Sequence, residues 1–350
     1  MVQHFKIVLL WIFKLSGLFA ISRLLTRRCF TIVGWHGVSF SNEHERLPAY
    51  FVSAQTLRKR LVFLKKHFQI VPLEDLMCQH AEGRIEPRQV ALTFDDGMYN
   101  FAARAVPVLN EFGNPATVYI VSNTMQERVL AYILLIQDIV FRTFLDATPA
   151  GLCQVASSHS LRGDAAKRAC IHRFKEEYLK LPEDQTLQKS FVVKFAEGLD
   201  VDIQDDLSSE TWRYMFSDEI RTLSDSGISA QLHTHRHHDV VHYPDTIFQE
   251  ARTCREHVER VTGKKATDYC YPSGYWEKRA WKPLQDAGVR SGVTCIGGLN
   301  TSGTPLLALR RHIDTEYMSQ IEFEFALSGL QWILYSMVGR NTFFKLREAT

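Results

Sequence analysis

The sequence predicts an α/β fold built from parallel βαβ units, and two observations favour it. Strand-like runs alternate with stretches of helical spacing between residues 30 and 121, and the alternation resumes between residues 217 and 313. Two of the apolar runs lead directly into clusters of carboxylates or histidines. Because ligands bind at the ends of parallel strands, these clusters indicate a site at one edge of the sheet.

The composition is typical of a globular protein and argues against some classes of partner. Of the 350 residues, 45% are hydrophobic, and the formal net charge of +2 argues against a nucleic-acid partner. Seven widely spaced cysteines include no C-x-x-C pair, which argues against a zinc ribbon or a dithiol redox site. Such cysteines are typical of a reducing compartment, which favours the cytoplasmic face of a membrane over a periplasmic or extracellular location.

Residues 1–28 are predicted to form a separate, membrane-associated segment. The segment is largely apolar, but Lys6, Lys14 and Arg23 interrupt it, and its uncharged run 15–22 is far shorter than the ~20 residues of a spanning helix. No convincing signal-peptide cleavage site follows. An amphipathic helix in the membrane interface, with basic residues that reach the headgroups, fits best. A helix packed on the protein's own surface and a signal anchor with a snorkelling Lys14 are the alternatives.

Residues 29–350 are predicted to form one domain. Its first part contains strand-like runs separated by helices whose apolar residues recur at three- and four-residue spacing. Ser53 is a plausible N-cap of the first of these helices. The predicted strands are 30–35, 68–71, 90–94 and 116–121, and the predicted helices are 53–67, 73–82 and 99–112.

The alternation of strands and helices stops after residue 121. Residues 125–213 have helical spacing and little strand character, and we predict a helical insertion rather than a separate module because neither edge carries a linker. The apolar stretch 323–346 is predicted to close the chain as a packing helix, or else as a second interfacial segment. The later predicted strands are 228–232, 268–271, 289–295 and 306–313, and the later helices are 217–227, 244–263 and 276–288.

Two adjacent carboxylates follow the strand-like run at residues 90–94, in the stretch V-A-L-T-F-D-D-G. Side chains alternate faces along a strand, but a turn at Gly97 can bring both Asp95 and Asp96 into one mouth. Two carboxylates at such a short distance repel each other unless a cation separates them or one of them takes a proton. A metal would let one aspartate coordinate while its neighbour stays free as a base.

A second cluster, Q-L-H-T-H-R-H-H-D, places four histidines within six positions just after the apolar run 228–232. His233 and His237 share a face if this turn is helical, and they can converge equally well in an irregular loop. One aspartate and two histidines leave open positions on a metal, as in catalytic sites. A capped turn and a solvated histidine-rich loop are the simpler alternatives, but the occurrence of both clusters at strand ends favours the metal site.

The combination of T-F-D-D-G with a downstream H-T-x-x-H resembles the polysaccharide deacetylase family, which is the NodB-homology group or carbohydrate esterase family 4. The resemblance covers about residues 30–313 and implies an incomplete (β/α) barrel, to which residues 125–213 add the helical insertion that a minimal family member lacks. It implies that Asp95 is the general base and that a divalent metal, expected to be zinc, is bound by Asp96, His233 and His237. His235 and His238 are not ligands in that pattern. Cobalt and nickel are the alternative metals.

The stretch Y-C-Y-P-S-G at residues 269–274 is similar to the family's third motif in its Y-P-x-G form. This motif lines the substrate groove, which implies substrate-binding roles for Tyr271, Pro272 and Gly274 and an oxyanion contact from a backbone N–H near Tyr271. Thr234 is expected to brace its loop or to contact the acetyl product.

The general acid has two candidates, and two arginines lie beside one of them. G-W-H-G-V at residues 34–38 resembles the family's Y-H-x-V stretch, which implies His36 as the acid. His312 is the alternative, although two arginines separate it from Leu309 where the family's simplest pattern has Leu-x-His. Many Y-P-x-G members carry an arginine on this strand that pairs with the base. Arg310 or Arg311 would do so or bind substrate, and strand alternation leaves open which points inward.

The resemblance implies a metal-dependent hydrolase that removes acetyl groups from N-acetylated sugars of a polysaccharide or its precursor. O-acetyl ester cleavage is the near alternative because the acyl carbon is attacked in the same way. A non-catalytic glycan-binding protein is less favoured because both aspartates are present, and a glycosidase would need a second carboxylate pair. The insertion would shape one wall of the groove or rest on a membrane, and the oligomeric state is left open.

Overall fold

The computed structural model describes residues 2–125 and 128–337. The strands within these ranges are β1 (Thr31–Trp35), β2 (Gly37–Val38), β3 (Phe51–Val52), β4 (Gln69–Ile70), β5 (Gln89–Phe94), β6 (Ala116–Ile120), β7 (Ile228–Leu232), β8 (Asp268–Cys270), β9 (Ser291–Val293) and β10 (His312–Ile313). The α-helices are α1 (Val2–Leu15), α2 (Leu18–Leu25), α3 (Glu43–Arg46), α4 (Ala54–His67), α5 (Leu73–Ala81), α6 (Val106–Phe112), α7 (Tyr132–Arg142), α8 (Asp164–Leu179), α9 (Gln185–Gly198), α10 (Gln204–Ser208), α11 (Ser217–Thr222), α12 (Ile247–Thr262), α13 (Trp281–Asp286), α14 (Gln320–Leu327) and α15 (Leu330–Met337).

The main sheet is parallel and curls into a half-barrel. Its strands follow the order β10-β1-β5-β6-β7-β8-β9, and β4 pairs with the start of β5. A parallel bridge between Val293 and Leu309 connects β9 to the segment that leads into β10. The prediction of an incomplete (β/α) barrel is therefore confirmed.

The strands are buried on both faces, which explains their continuous apolar runs. Phe30, Ile32 and Ala91 fill the inside of the barrel, together with Tyr119 from β6. The alternate residues, such as Val33, pack outward against the surrounding helices. Helix α4 begins at the predicted cap, because the Ser53 hydroxyl accepts a hydrogen bond from the Thr56 N–H at 3.1 Å.

Several predicted elements are shorter or less regular in the structure. The predicted strand 306–313 is reduced to β10, because Leu306–Ala308 form a 3-10 turn before Leu309 joins β9. The predicted helix 99–112 starts with a π-helical turn at Phe101–Ala105 and continues as α6. Neighbouring strands and loops decide these boundaries, which local spacing does not report.

The segment between β6 and β7 consists of helices α7 to α11, and its described residues contain no β-strand. The first three of these helices share a core of their own around Leu135, Phe174 and Phe195. A salt bridge of 2.5 Å between Arg46 and the fully buried Asp138 ties this core to helix α3.

The N-terminal segment is broken into two helices rather than one. Gly17, with φ of 81°, separates α1 from α2, and the two axes are bent by 69°. Leu10 and Phe19 pack against α14 and α15. Among the described residues no single helix is long and apolar enough to cross a membrane, although this bent pair meets the length and composition criteria jointly. The apolar stretch predicted at 323–346 forms α14 and α15 in part, and its residues from 338 onward lie outside the described residues.

Candidate active site

The predicted site residues gather at the carboxyl ends of four strands. His36 follows β1, Asp95 and Asp96 follow β5, His233 follows β7, and Tyr271 follows β8. Parallel pairing aligns these strand ends at the same edge of the barrel, which is where α/β barrels place their catalytic groups.

Asp95 is held by a buried arginine. The Arg311 Nη1 and Nη2 atoms donate to the two carboxylate oxygens of Asp95 at 2.6 and 2.8 Å, and the Asp95 backbone N–H donates to the Trp35 carbonyl at 2.8 Å. Burial raises the pKa of Asp95, but the charge and hydrogen bonds of Arg311 outweigh it, so the pKa lies below its ordinary value. The carboxylate is therefore ionised and fixed in orientation.

Asp96 converges with two histidines. Its Oδ1 atom lies 3.3 Å from His233 Nε2 and 3.6 Å from His237 Nε2, and the three ligand atoms lie within 4.8 Å of one another. The loop after β7 is irregular, so the two histidines meet without the helical turn that would also have aligned them. Asp96, Thr234 and His237 all have positive φ, at 69°, 65° and 61°. Such backbone strain is typical of functional sites.

The residues around this cluster fit a divalent metal. His233 Nδ1 donates to the Cys270 carbonyl at 2.9 Å, which orients the ring so that Nε2 faces Asp96. The hydroxyl of Thr234 and the Nδ1 atom of His36 are buried without a hydrogen-bond partner among the described residues. One carboxylate oxygen and two imidazole nitrogens with open positions suit zinc.

An alternative ligand group, Asp95 with His233 and Cys270, is also close enough to hold an ion. Asp95 is already bound by Arg311 on both oxygens. Burial raises the pKa of the Cys270 thiol to about 11, so it is not a thiolate at neutral pH. The group around Asp96 is therefore the better metal site.

His36 lies at the rim of the same mouth. Its Nε2 atom is 3.9 Å from Asp95 Oδ2, and its side chain is 23% exposed. The ring contacts Tyr50 edge-on, with centroids 5.7 Å apart. The imidazole is thus close to the predicted base and accessible from the groove.

The segment that leads into β10 directs the side chains of Arg310, Arg311 and His312 to different surroundings. Arg311 points inward to Asp95, whereas the guanidinium of Arg310 lies over the Trp332 ring at 5.5 Å. Within the described residues no hydrogen bond or ion pair joins His312 to either aspartate, and burial followed by the charge of Arg310 lowers the pKa of His312 to about 4. Both arginines are buried, and Arg311 is the one that pairs with Asp95, whereas a contact of either with substrate stays a prediction.

The third motif shapes the wall of the site. The Tyr271 hydroxyl donates to the Leu307 carbonyl at 2.8 Å, and its backbone N–H donates to Val293 at 3.2 Å. That amide is engaged in the sheet, and the oxyanion contact from a backbone N–H near Tyr271 stays a prediction. Pro272 is buried, and Gly274 has φ of 71° and no room for a Cβ, which would lie 2.6 Å from the Cys295 Cβ.

The insertion reaches the loop of the two aspartates, where one of its two predicted roles, a wall of the groove, would place it. Its returning segment forms a bridge between Tyr214 and Met98, and the Tyr99 N–H donates to the Arg213 carbonyl at 2.9 Å. Burial and then the charge of Asp96 raise the pKa of Tyr214. No motif marks Tyr214 or Tyr50, so neither could be found without the tertiary contacts.

Comparisons with known proteins agree with this geometry. A family model described as polysaccharide deacetylase matches residues 82–169 and 190–292, more than half of the 350 residues. The poly-beta-1,6-N-acetyl-D-glucosamine N-deacetylase of Escherichia coli K12 is 34% identical over 91 residues, a stretch that is 25% of this chain and only 13% of that protein.

Two solved structures share the fold over most of the chain. The deacetylase PplD of Streptococcus pyogenes, solved in complex with acetate, has a TM-score of 0.56 at 15% identity and covers 86% of this chain and 99% of its own. IcaB from Ammonifex degensii has a TM-score of 0.53 at 13% identity and covers 87% of this chain and 97% of its own. At these identities the likeness shows the fold alone.

Proposed function

Because the chain belongs to the polysaccharide deacetylase family, we propose that it is a metal-dependent hydrolase that removes acetyl groups from N-acetylated sugars of a polysaccharide or its precursor. One observation carries the proposal. A carboxylate kept ionised by Arg311 stands next to a second carboxylate that converges with two histidines. A base beside a metal site with open positions is what hydrolysis of an amide requires.

The first substrate to test is an oligomer of N-acetylglucosamine. The name of the Escherichia coli relative supports this choice, although the aligned stretch covers only a small part of that protein. The mouth at the strand ends is open enough for His36 to remain partly exposed. A sugar that carries its acetamido group into this mouth would present the carbonyl between Asp95 and Asp96.

The mechanism follows from the positions of the side chains. Asp96, His233 and His237 would hold a divalent metal, which when bound polarises a carbonyl oxygen and acidifies water. Asp95 takes the proton of the attacking water, because its carboxylate is ionised and held by Arg311. His36 donates a proton to the leaving nitrogen, because its ring lies at the rim 3.9 Å from Asp95.

The test is acetate release from N-acetylglucosamine oligomers by the metal-stripped protein, with and without added zinc. We expect zinc-dependent release that Asp96→Ala abolishes together with metal binding. Asp95→Asn should lower the rate by about 10²–10⁴-fold while metal binding survives, which is the usual contribution of a general base. Asp239→Asn is the matched control, because this carboxylate lies in the histidine-rich loop but pairs with His242.

Each outcome of this test has a definite meaning. Wild-type release by Asp95→Asn would contradict the assignment of the base. Release from O-acetylated but not from N-acetylated oligomers would replace the proposal with the esterase alternative. Neither release nor metal binding would favour a non-catalytic glycan-binding protein.

A further inference from the structure

The two N-terminal helices expose an unusually large apolar surface, which we call the outer face. It includes Phe5, Val8, Ile12 and Leu15 on α1 and Ile21 and Leu25 on α2, with exposures from 52% to 80%. The residues on α1 recur at three- and four-residue spacing, so they form one continuous stripe. A contiguous apolar patch of this kind on a folded protein marks an interaction site.

The two lysines of α1 are turned the other way. Lys6 and Lys14 pair with Glu322 and Glu324 of α14, each at 2.6 Å, and Leu10 is buried on the same side. A helix that packs on its own domain normally directs its charges to water. Here the charges contact the domain and the apolar stripe points outward, which is the reverse order.

Basic side chains border the outer face where α2 ends. Arg27 and Arg28 are both exposed, and neither forms an ion pair with another described residue. Trp11 lies among the exposed residues of α1, with Lys14 Nζ 4.9 Å from its ring centroid. An apolar helix surface with an exposed tryptophan and adjoining arginines is typical of helices that lie in a lipid interface.

We propose that the outer face docks the protein onto a lipid bilayer that carries anionic headgroups. The apolar stripe enters the boundary between headgroups and acyl chains, and Arg27 and Arg28 contact the lipid phosphates. A protein partner would instead be expected to meet polar groups alternating with the apolar ones, as interfaces between proteins have a polar rim. This inference does not depend on the proposed activity.

The test measures binding of the full chain to phosphatidylcholine vesicles with and without 25% phosphatidylglycerol. We expect preferential binding to the anionic vesicles. The double variant Phe5→Glu, Ile12→Glu should weaken it by about 100-fold or more, because each lost apolar side chain forfeits its burial. Arg27→Gln and Arg28→Gln should each weaken binding to anionic vesicles by about fivefold and reduce its salt dependence.

The matched control is Phe144→Glu, which places the same charge at a phenylalanine that is 102% exposed on the insertion, far along the chain from the outer face. This variant should bind vesicles like the wild type. Brominated lipids should quench tryptophan fluorescence in the wild type, and Trp11→Phe should remove most of that quenching. The quenching experiment needs no charge substitution, so it remains informative if the double variant unfolds.

Four results would overturn the proposal. The first is failure of the wild type to bind either kind of vesicle. The second is equal loss of binding in Phe144→Glu and in the double variant. The third is a lipid-free dimer that the double variant converts to a monomer, because a second copy would then cover the outer face. The fourth is binding that occurs only after residues 338–350 are removed, because the chain's own end would then cover it.

Discussion

Replacing Arg311 with glutamine should disable the predicted base without touching the metal ligands. The change removes two charge-assisted hydrogen bonds, of 2.6 and 2.8 Å, between side chains that are 0% and 3% exposed. Removing one partner of a buried ion pair costs about 3–5 kcal/mol. Part of this cost is avoided if Asp95 takes a proton, because burial then raises its pKa without opposition from a guanidinium. At neutral pH we expect kcat/KM to fall by about 10²–10³-fold.

The assay is the pH dependence of kcat/KM for the wild type, Arg311→Gln and Arg310→Gln. The acid limb should move to higher pH in Arg311→Gln, because the base then stays protonated further up the scale. Arg310→Gln is the control, since this guanidinium lies over Trp332. Its acid limb should coincide with that of the wild type.

The same shift in the pKa of Asp95 should change how the unfolding free energy depends on pH. In the wild type, the lowered pKa of Asp95 contributes stability above the unfolded pKa of the carboxyl, and this contribution is lost as pH falls through the folded pKa. In Arg311→Gln the folded pKa is raised, so the deficit in unfolding free energy should be largest at neutral pH and should shrink in acid. Urea denaturation at several pH values measures it.

Two results would refute this reasoning. One is an acid limb that stays in place in Arg311→Gln while the protein remains folded. The other is an equal shift in Arg310→Gln, which would show that charge near the strand, rather than the bidentate pair, controls Asp95. Arg311→Lys should restore only part of the activity, because an ammonium group cannot form both hydrogen bonds in the guanidinium geometry.

Three further predictions concern residues outside the metal site. Gly97→Ala should lower the unfolding free energy by about 1–2 kcal/mol from the left-handed backbone alone. The loss should exceed that of Gly113→Ala, because the new Cβ at residue 97 would lie 2.9 Å from Ile120, whereas a Cβ at Gly113 would have nothing within 4 Å. Equal shifts of the thermal unfolding temperature in the two variants would contradict this. The pKa of His312 is lowered to about 4 in the folded protein, so below pH 6.5 the unfolded chain takes up a proton before the folded protein does. In urea titrations the wild type should therefore lose about 3 kcal/mol of unfolding free energy between pH 6.5 and 4, and His312→Asn should not show this loss. Asp138→Ala should cost about 3–5 kcal/mol in thermal unfolding, because it leaves Arg46 without its carboxylate partner while Arg142 keeps Asp206. A loss below about 1 kcal/mol would show that the Arg46–Asp138 pair does not anchor the insertion.

Local pattern was sufficient to predict the strands that carry the site and the order of its motifs. The strand before Asp95 is a continuous apolar run, because β5 is buried on both faces, and such a run can be recognised without neighbours. Parallel strands also align their carboxyl ends, so residues 130 or more positions apart could be expected at one mouth. The resemblance of the motifs then supplied the expected role of each residue.

Neither pattern nor motif could decide the orientation of single side chains. Arg310 and Arg311 are chemically equal and adjacent, and only the register of β10 against β1 turns Arg311 toward Asp95 and Arg310 toward Trp332. The irregular loop after β7 is similar, because positive φ values rather than helical spacing bring His233 and His237 together. A one-residue difference in register reverses every side chain, and no local property of the chain records it.

The sequence by itself determined the α/β class, the motifs and the apolar character of the N-terminal segment, because these depend on residue type and spacing along the chain. The tertiary structure decided that Lys6 and Lys14 pair with α14 instead of reaching toward headgroups, which corrects the expected orientation of α1. It also decided that the insertion lies against the Asp95–Asp96 loop. Both outcomes depend on groups more than 80 residues away, whose partnership is set by packing and charge in three dimensions rather than by neighbouring sequence.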